Sequence, residues 1–221
     1  MNELVDIFSG TDPDNVSTSV QLLLLLTVLS LAPSILVLMT SFTRIIIVLS
    51  FVRTSLATQQ MPPNQVLIGL ALFLTFFIMA PTLHEVNDEA LQPLMADDIS
   101  LEEAYNKASV PFKDFMASHT REKDLELFMD YAGTEQPDTV EDIPLTTLVP
   151  AYSISELKTA FQMGFMIFVP FLIIDMVVAS VLMSMGMMML PPVMISLPFK
   201  ILLFVLVDGW YLITDSLLQG F

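Results

Sequence analysis

Four apolar runs, separated by polar or proline-marked breaks, dominate the chain. Residues 20–42 carry no charge and are long enough to cross a hydrocarbon core of about 30 Å as a helix. Pro33 lies inside this run and predicts a kink, because it removes a helix hydrogen bond. Arg44 and Arg53 bracket a further apolar piece, Ile45 to Val52, which is too short to span. The second run, Gln65 to Leu83, is uncharged with Pro81 near its end, and Asn64 behind Pro62-Pro63 is its expected N-cap. The third, Ala160 to Gly186, holds Pro170 and a single charge, Asp175. The fourth, Val193 to Leu218, holds Lys200, Asp208 and Asp215, and Pro191-Pro192 parts it from the third. No soluble domain needs such runs; they point to a membrane or membrane-complex protein.

The polar stretches between them complete an all-α reading. Residues 1–19 form a polar N-terminal segment with turn formers Gly10, Pro13, Asp14 and Asn15. Residues 20–83 make a first apolar helical hairpin region, 84–158 an acidic helical segment, and 159–221 a second apolar hairpin with a Met-rich loop. In the acidic segment Ser100 and Glu103 fit a capping box, and the apolar face that follows continues past Pro111 through Phe112, Phe115 and Met116. A further helix is expected from about Arg121 to Ala132, with Leu125, Phe128, Met129 and Ala132 along one face and Gly133 as its C′ residue. A loop bearing Pro137, Pro144 and Pro150 should follow, and Ser153 with Glu156 reads as a second capping box opening the third run. No strand-like alternation of any length occurs.

Composition sharpens the picture. Of the 221 residues 54% are hydrophobic and only 14% charged, against about 45–50% and roughly 25% in soluble domains. The formal charge of −16 is concentrated: residues 84–158 hold 17 Asp or Glu against five Lys or Arg, a net −12. Such a polyanion repels phosphates, which argues against nucleic acid as a partner. The lack of cysteine excludes disulfides, thiolate metal sites and thiol nucleophiles. Met1-Asn-Glu-Leu has no basic n-region, so no cleavable signal is expected in this chain. Arg44 and Arg53, with no acid between them, place the first short loop on the cytoplasmic side and the acidic segment outside.

The most unusual local feature is the stretch 183–189, in which five of seven residues are methionine, followed by Leu190-Pro191-Pro192. Methionine is unbranched and adaptable. A ring of such side chains from several subunits could seal a pore against small solutes and still yield to a polypeptide; the plainer reading is a greasy turn packed on a neighbour. Asp175 amid aliphatic residues costs roughly 2.5–3.5 kcal/mol to insert, so it needs a partner or a water-filled path. Lys200 is the intrachain partner at hand; a structural ion pair is favoured over a proton relay, and either charge could instead meet another subunit. Asp208-Gly209-Trp210 reads as the interfacial end of the fourth run. Phe115 and Phe128 sit on amphipathic faces, as core or as subunit contacts. His84-Glu85 lacks the second histidine of a metalloprotease helix, and no Gly-rich phosphate loop or recognisable Ser/His/Asp context is present. No catalysis, metal or cofactor is expected.

Leu31-Ala-Pro-Ser-Ile-Leu-Val-Leu-Met-Thr-Ser-Phe-Thr-Arg44, with the residues on to Arg53, resembles the first signature block of the FliP family of export-gate P subunits, flagellar and virulence-associated. Thr58-Gln-Gln-Met-Pro-Pro-Asn-Gln65 with the following run, Pro150 to Phe161, Met183 to Pro192, and Leu197-Pro-Phe-Lys200 resemble the same family, so that the likeness covers about Leu22 to the C-terminus. The resemblance implies kinked helices in broken hairpins, five copies joined with Q and R subunits and with the B subunit, and a conical assembly standing largely above the membrane plane. It implies a methionine gasket at Met187, Met188 and Met189 and buried intersubunit contacts at Asp175 and Lys200; Phe115, Phe128 and Glu156 are candidates for an assembly surface. Members often carry a cleavable signal, whose absence implies a processed chain or an added Met1.

The expected function is therefore a pore subunit passing unfolded substrates across the bacterial inner membrane at the flagellar basal body, driven from outside this chain, with the acidic segment periplasmic. Two other classes compete. A secondary transporter or ion-channel subunit would use Asp175 for coupling, as a monomer or dimer with a site at broken helices. A scaffold that only nucleates a secretion machine would use the apolar surfaces and leave no leak when the methionines are removed.

Overall fold

The computed structural model describes residues 26–27, 30–58, 60–133, 137, 139–187 and 189–221. The chain divides into two compact units, Met1–Val37 and Leu38–Phe221. In the first, residues 26–27 and 30–37 are helical, Pro33 included; of the expected first run, residues 20–25 and 28–29 lie outside the described residues. In the second, the described elements are α1 (Phe42–Ser55), α2 (Asn64–Val86), a π turn (Asn87–Leu91), α3 (Gln92–Met95), α4 (Leu101–Ser118), α5 (Glu122–Ala132), a 3-10 turn (Val140–Asp142), α6 (Leu145–Ser184), α7 (Pro192–Leu206) and α8 (Gly209–Gln219). No strand occurs among the described residues, in agreement with the all-α reading.

The short piece between the two arginines, too short to span, is the centre of the core. Ile45, Val48, Leu49 and Val52 repeat at helical spacing on one face of α1, and all four are fully buried. They pack with Leu67, Ala71 and Leu74 of α2, Ala160 and Phe171 of α6, Phe204 of α7, and Ile213 and Leu217 of α8. Gly164 allows α6 to meet α1 closely, since a Cβ there would collide with the Phe51 ring; Phe51 also lies edge-on to Phe161 at 5.4 Å. A second cluster, Met116, Ile143, Leu148 and Tyr152, joins the acidic segment to the first turns of α6.

Several local expectations hold. Ser100 caps α4, its Oγ accepting from the Glu103 N–H at 3.2 Å. Gly133 ends α5 with φ +64°, the left-handed geometry that a glycine takes without a Cβ penalty. Met116 and Met129 are buried on their predicted faces.

Others are corrected. Asn64 is the first residue of α2, not its cap; Pro63 holds the cap position, and the Asn64 carboxamide accepts from Arg53. Ser153 and Glu156 lie inside α6, which starts at Leu145 and passes through Pro150. Ser153 Oγ donates to the Val149 carbonyl at 2.8 Å. The buried face Leu148, Ala151, Tyr152, Ser155 runs straight across the proline, so packing overrides the local breaker. Pro81, Pro111 and Pro170 likewise stand inside continuous helices. Conversely, the fourth run breaks in its middle. Asp208 adopts φ +50°, and α7 and α8 meet there at 61°. Gly209 is buried with the Phe204 ring against its Cα, and Trp210 lies edge-on to that ring at 5.3 Å. Asp208-Gly209-Trp210 is an elbow within the run.

Among the described residues two continuous helices are long and apolar enough to cross a membrane: Asn64–Met95, which includes the π turn, and α6, of 40 residues. At 1.5 Å per residue α6 reaches about 60 Å, twice a hydrocarbon core, so part of it must stand outside one.

The Gly164 contact makes a prediction. Gly164→Ala should destabilise the detergent-solubilised chain by about 1–3 kcal/mol through overpacking, whereas Gly69→Ala, with open space at its Cβ, should be neutral or gain up to about 1 kcal/mol of helix propensity. Thermal unfolding of both variants checks this; equal melting temperatures would refute the close approach.

Candidate functional site: the methionine loop and its buried ion pairs

α6 and α7 form an antiparallel hairpin whose tip is the methionine-rich loop. The exit from α6 is a Schellman turn: the Gly186 N–H donates to the Met183 carbonyl at 3.0 Å and the Met187 N–H to the Leu182 carbonyl at 3.0 Å. Gly186 takes φ +75° to allow it. The return leg starts on extended Pro191, with Pro192 as the first residue of α7, a position that wants no N–H. Both ends of the loop are thus fixed by backbone geometry. Its side chains are not packed away. Met183 and Met185 are exposed and Met189 is 98% exposed, while Met187 is half-buried. Met188 lies outside the described residues.

Below the tip the two legs are joined by charge. Lys200, buried on α7, donates from Nζ to Asp175 Oδ2 at 2.6 Å and to the Ser55 carbonyl of α1 at 3.1 Å. Ser196, one turn earlier on α7, donates to Asp175 Oδ1 at 2.5 Å. Both carboxylate oxygens have partners within the chain, so Asp175 is engaged as one end of a structural pair, and the transporter reading has no uncommitted acid here. Alongside this pair and toward the loop runs an apolar groove of about 530 Å³ lined by Ile173, Val177, Val181, Ile195 and Phe199.

A second buried pair holds the base of the arrangement. Arg44 of α1 donates from Nε to Glu156 Oε2 at 2.8 Å, and its NH2 group meets Glu156 Oε1. NH1 donates to the Gly220 carbonyl at 2.7 Å, and the guanidinium lies 3.7 Å from the centre of the Phe221 ring. Glu156 is fully buried, so its carboxylate faces Arg44 inside the chain. Phe115 is half-buried, with its ring near Phe221, Tyr152 and His119. Phe128 is half-buried on α5. The N-terminus of α5 is tied to α6 through Ser155, whose Oγ accepts from the Arg121 N–H at 3.1 Å and donates to Asp124 Oδ2 at 2.6 Å.

Arg44, Ser196, Gly220 and Phe221 were not singled out from sequence as site residues. Arg44 had a signal: a cation within an apolar stretch demands a partner. It was read for topology only. Among the described residues no three His, Asp or Glu side chains converge as metal ligands would.

Long apolar helices, internal ion pairs and an exposed methionine tip define a helical membrane protein whose surface is built to meet other chains. Residues 25–217 match the FliP family, and the chain belongs to it. It is 77% identical over all 221 residues, and over the full length of the relative, to the flagellar biosynthetic protein FliP of Bacillus subtilis (strain 168). It is 58% identical to that of Pectobacterium carotovorum subsp. carotovorum, covering 92% of this chain and 79% of the relative. With the protein of Aquifex aeolicus (strain VF5) it shares 52% identity over 94% of this chain and 87% of the relative.

Removing one partner of a buried pair leaves the other charge uncompensated. Arg44→Ala should therefore cost about 3–5 kcal/mol, and the double variant Arg44→Met with Glu156→Leu should recover most of it. Denaturant unfolding in detergent measures both; an Arg44→Ala loss below about 1 kcal/mol would contradict a buried pair.

Proposed function

We propose that this chain is a pore-forming subunit of the flagellar protein-export gate, its methionine loop serving as the gasket. As a member of the FliP family it is a component of the flagellar export apparatus. The observation that carries the finer reading is the hairpin tip: exposed methionines on a loop whose two ends are held by a Schellman turn and a proline pair. Unbranched thioether side chains re-pack at little cost. Met187, Met188 and Met189 from several copies, converging on an axis, close the pore to ions and part for an unfolded substrate chain. A rigid loop base keeps each copy's contribution in register.

The rest of the assembly follows from the same proposal. Five copies join Q and R subunits, with the B subunit beside them, in the bacterial inner membrane at the basal body. The acidic segment lies on the periplasmic side. Partner helices cover the exposed apolar faces of α2, α6 and α7, where Phe73, Phe77, Phe165 and Met176 stand free in the single chain. Phe128 on α5 belongs to the assembly surface, and Phe115, Glu156, Asp175 and Lys200 brace it from within each copy.

Cells carrying Met187, Met188 and Met189 all changed to alanine should assemble the complex normally yet leak ions and small solutes, read as dissipated membrane potential. A tight membrane with unaltered secretion would sink the gasket assignment, and a tight membrane with normal assembly and lost secretion would favour the scaffold reading.

A further inference from the structure

α8 is attached at both ends by unusual means. Its N-terminus is the elbow at Asp208-Gly209, where positive φ and the Phe204 ring seated on Gly209 turn the chain through 61°. At its C-terminal end, Gly220 and Phe221 reach a site made by three other elements. The Gly220 carbonyl accepts from Arg44 of α1, and the Phe221 ring lies against the same guanidinium. The other contacts of that ring come from the acidic segment: Phe115, stacked at 6.1 Å, and His119 at 5.1 Å, both on or just past α4. Phe77, Ile78 and Pro81 of α2 border the same small cavity, of about 380 Å³. Between its ends α8 meets the core through Ile213 and Leu217, with Leu218 packed beside them; Tyr211 and Leu212 are exposed.

We infer that α8 is a strap, hinged at Asp208-Gly209 and latched by Phe221 on Arg44, that couples the α6–α7 hairpin to the acidic segment. The latch does not depend on the export-gate reading; it rests on contacts within one copy. Its chemistry suits a reversible fastening. The guanidinium is neutralised by Glu156 on one side, so the Phe221 face adds attraction without having to bury a charge by itself. The Gly220 bond uses a donor that Glu156 leaves free, and no covalent or metal link secures the end. Phe115, whose amphipathic face suits either core or subunit contact, thus has a role inside the chain as the surface on which the latch ring stacks.

The test uses the full chain in detergent, followed by amide hydrogen exchange. Phe221→Ala should raise exchange in residues 209–219 and 112–119 by about tenfold or more, and leave the Asp175–Lys200 region of α6 and α7 unchanged. Phe221→Tyr keeps a π face and should restore protection; Phe221→Leu keeps apolar bulk without one and should not. Unaltered exchange in Phe221→Ala, or Leu rescuing as well as Tyr, would overturn the latch. If Phe221→Ala does not accumulate, the Tyr and Leu pair decides the question alone. A uniform rise across the whole chain would also overturn it, by showing plain loss of stability instead of a released strap.

Discussion

A guanidinium in an apolar core has to bring its own solvation, and much of this structure is arranged around that requirement. Stripping an ion of water costs several kcal/mol even after relaxation. Arg44 meets the cost with a bidentate carboxylate, a backbone carbonyl and an aromatic face. These partners come from α6 and the C-terminus, 112 and 176 residues away in sequence. One side chain therefore sets the register of α1 against α6 and holds the last residues of the chain. Apolar packing alone is poor at this, because aliphatic helices can slide past one another with small loss. The Asp175–Lys200 pair does the same for the hairpin, with Ser196 and the Ser55 carbonyl completing its hydrogen bonds.

The second constraint is area. A core of one buried face on α1 and what it touches leaves most of α6 uncovered: only 11% of its most apolar stretch is buried. Exposed aromatic and aliphatic patches on this scale are interaction surface or lipid surface. A helix of about 60 Å cannot hide it all in one hydrocarbon layer. An assembly of several such chains satisfies both conditions, and membership of the FliP family accords with that.

What could be read from the chain divides along physical lines. Helical class, the α4 cap, Gly133, the faces of α4 and α5 and the density of methionine at 183–189 are local, and each was visible. Asp175 and Lys200 could be matched because each was the conspicuous charge of its run. The partner of Arg44 could not be read, since Glu156 looked like part of a cap. That motif depends on a helix start, and α6 begins eleven residues earlier because its buried face continues through Pro150. The elbow at Asp208 was hidden for the opposite reason. The Asp208-Gly209 pair is a local turn signal, but the run around it is apolar on both sides, and what seats the bend is a tertiary contact, the Phe204 ring on Gly209. Proline therefore misled in both directions: helices ran through Pro81, Pro150 and Pro170, and the sharpest bend in run four came without one.

The distribution of stiffness bears on how such a hairpin could serve a passage. Its legs are pinned by a half-buried ion pair, and its loop leaves each leg through fixed backbone geometry, at Gly186 on one side and Pro191 on the other. Freedom remains in the methionine side chains, which can change rotamer without moving either helix. A closure built this way separates two demands that conflict in a rigid pore. On the proposed gasket reading, the backbone holds the diameter while the thioethers fill whatever space an absent or present chain leaves. Placing the charges below the tip, and not at it, keeps the closing surface free of groups that would hold water or ions.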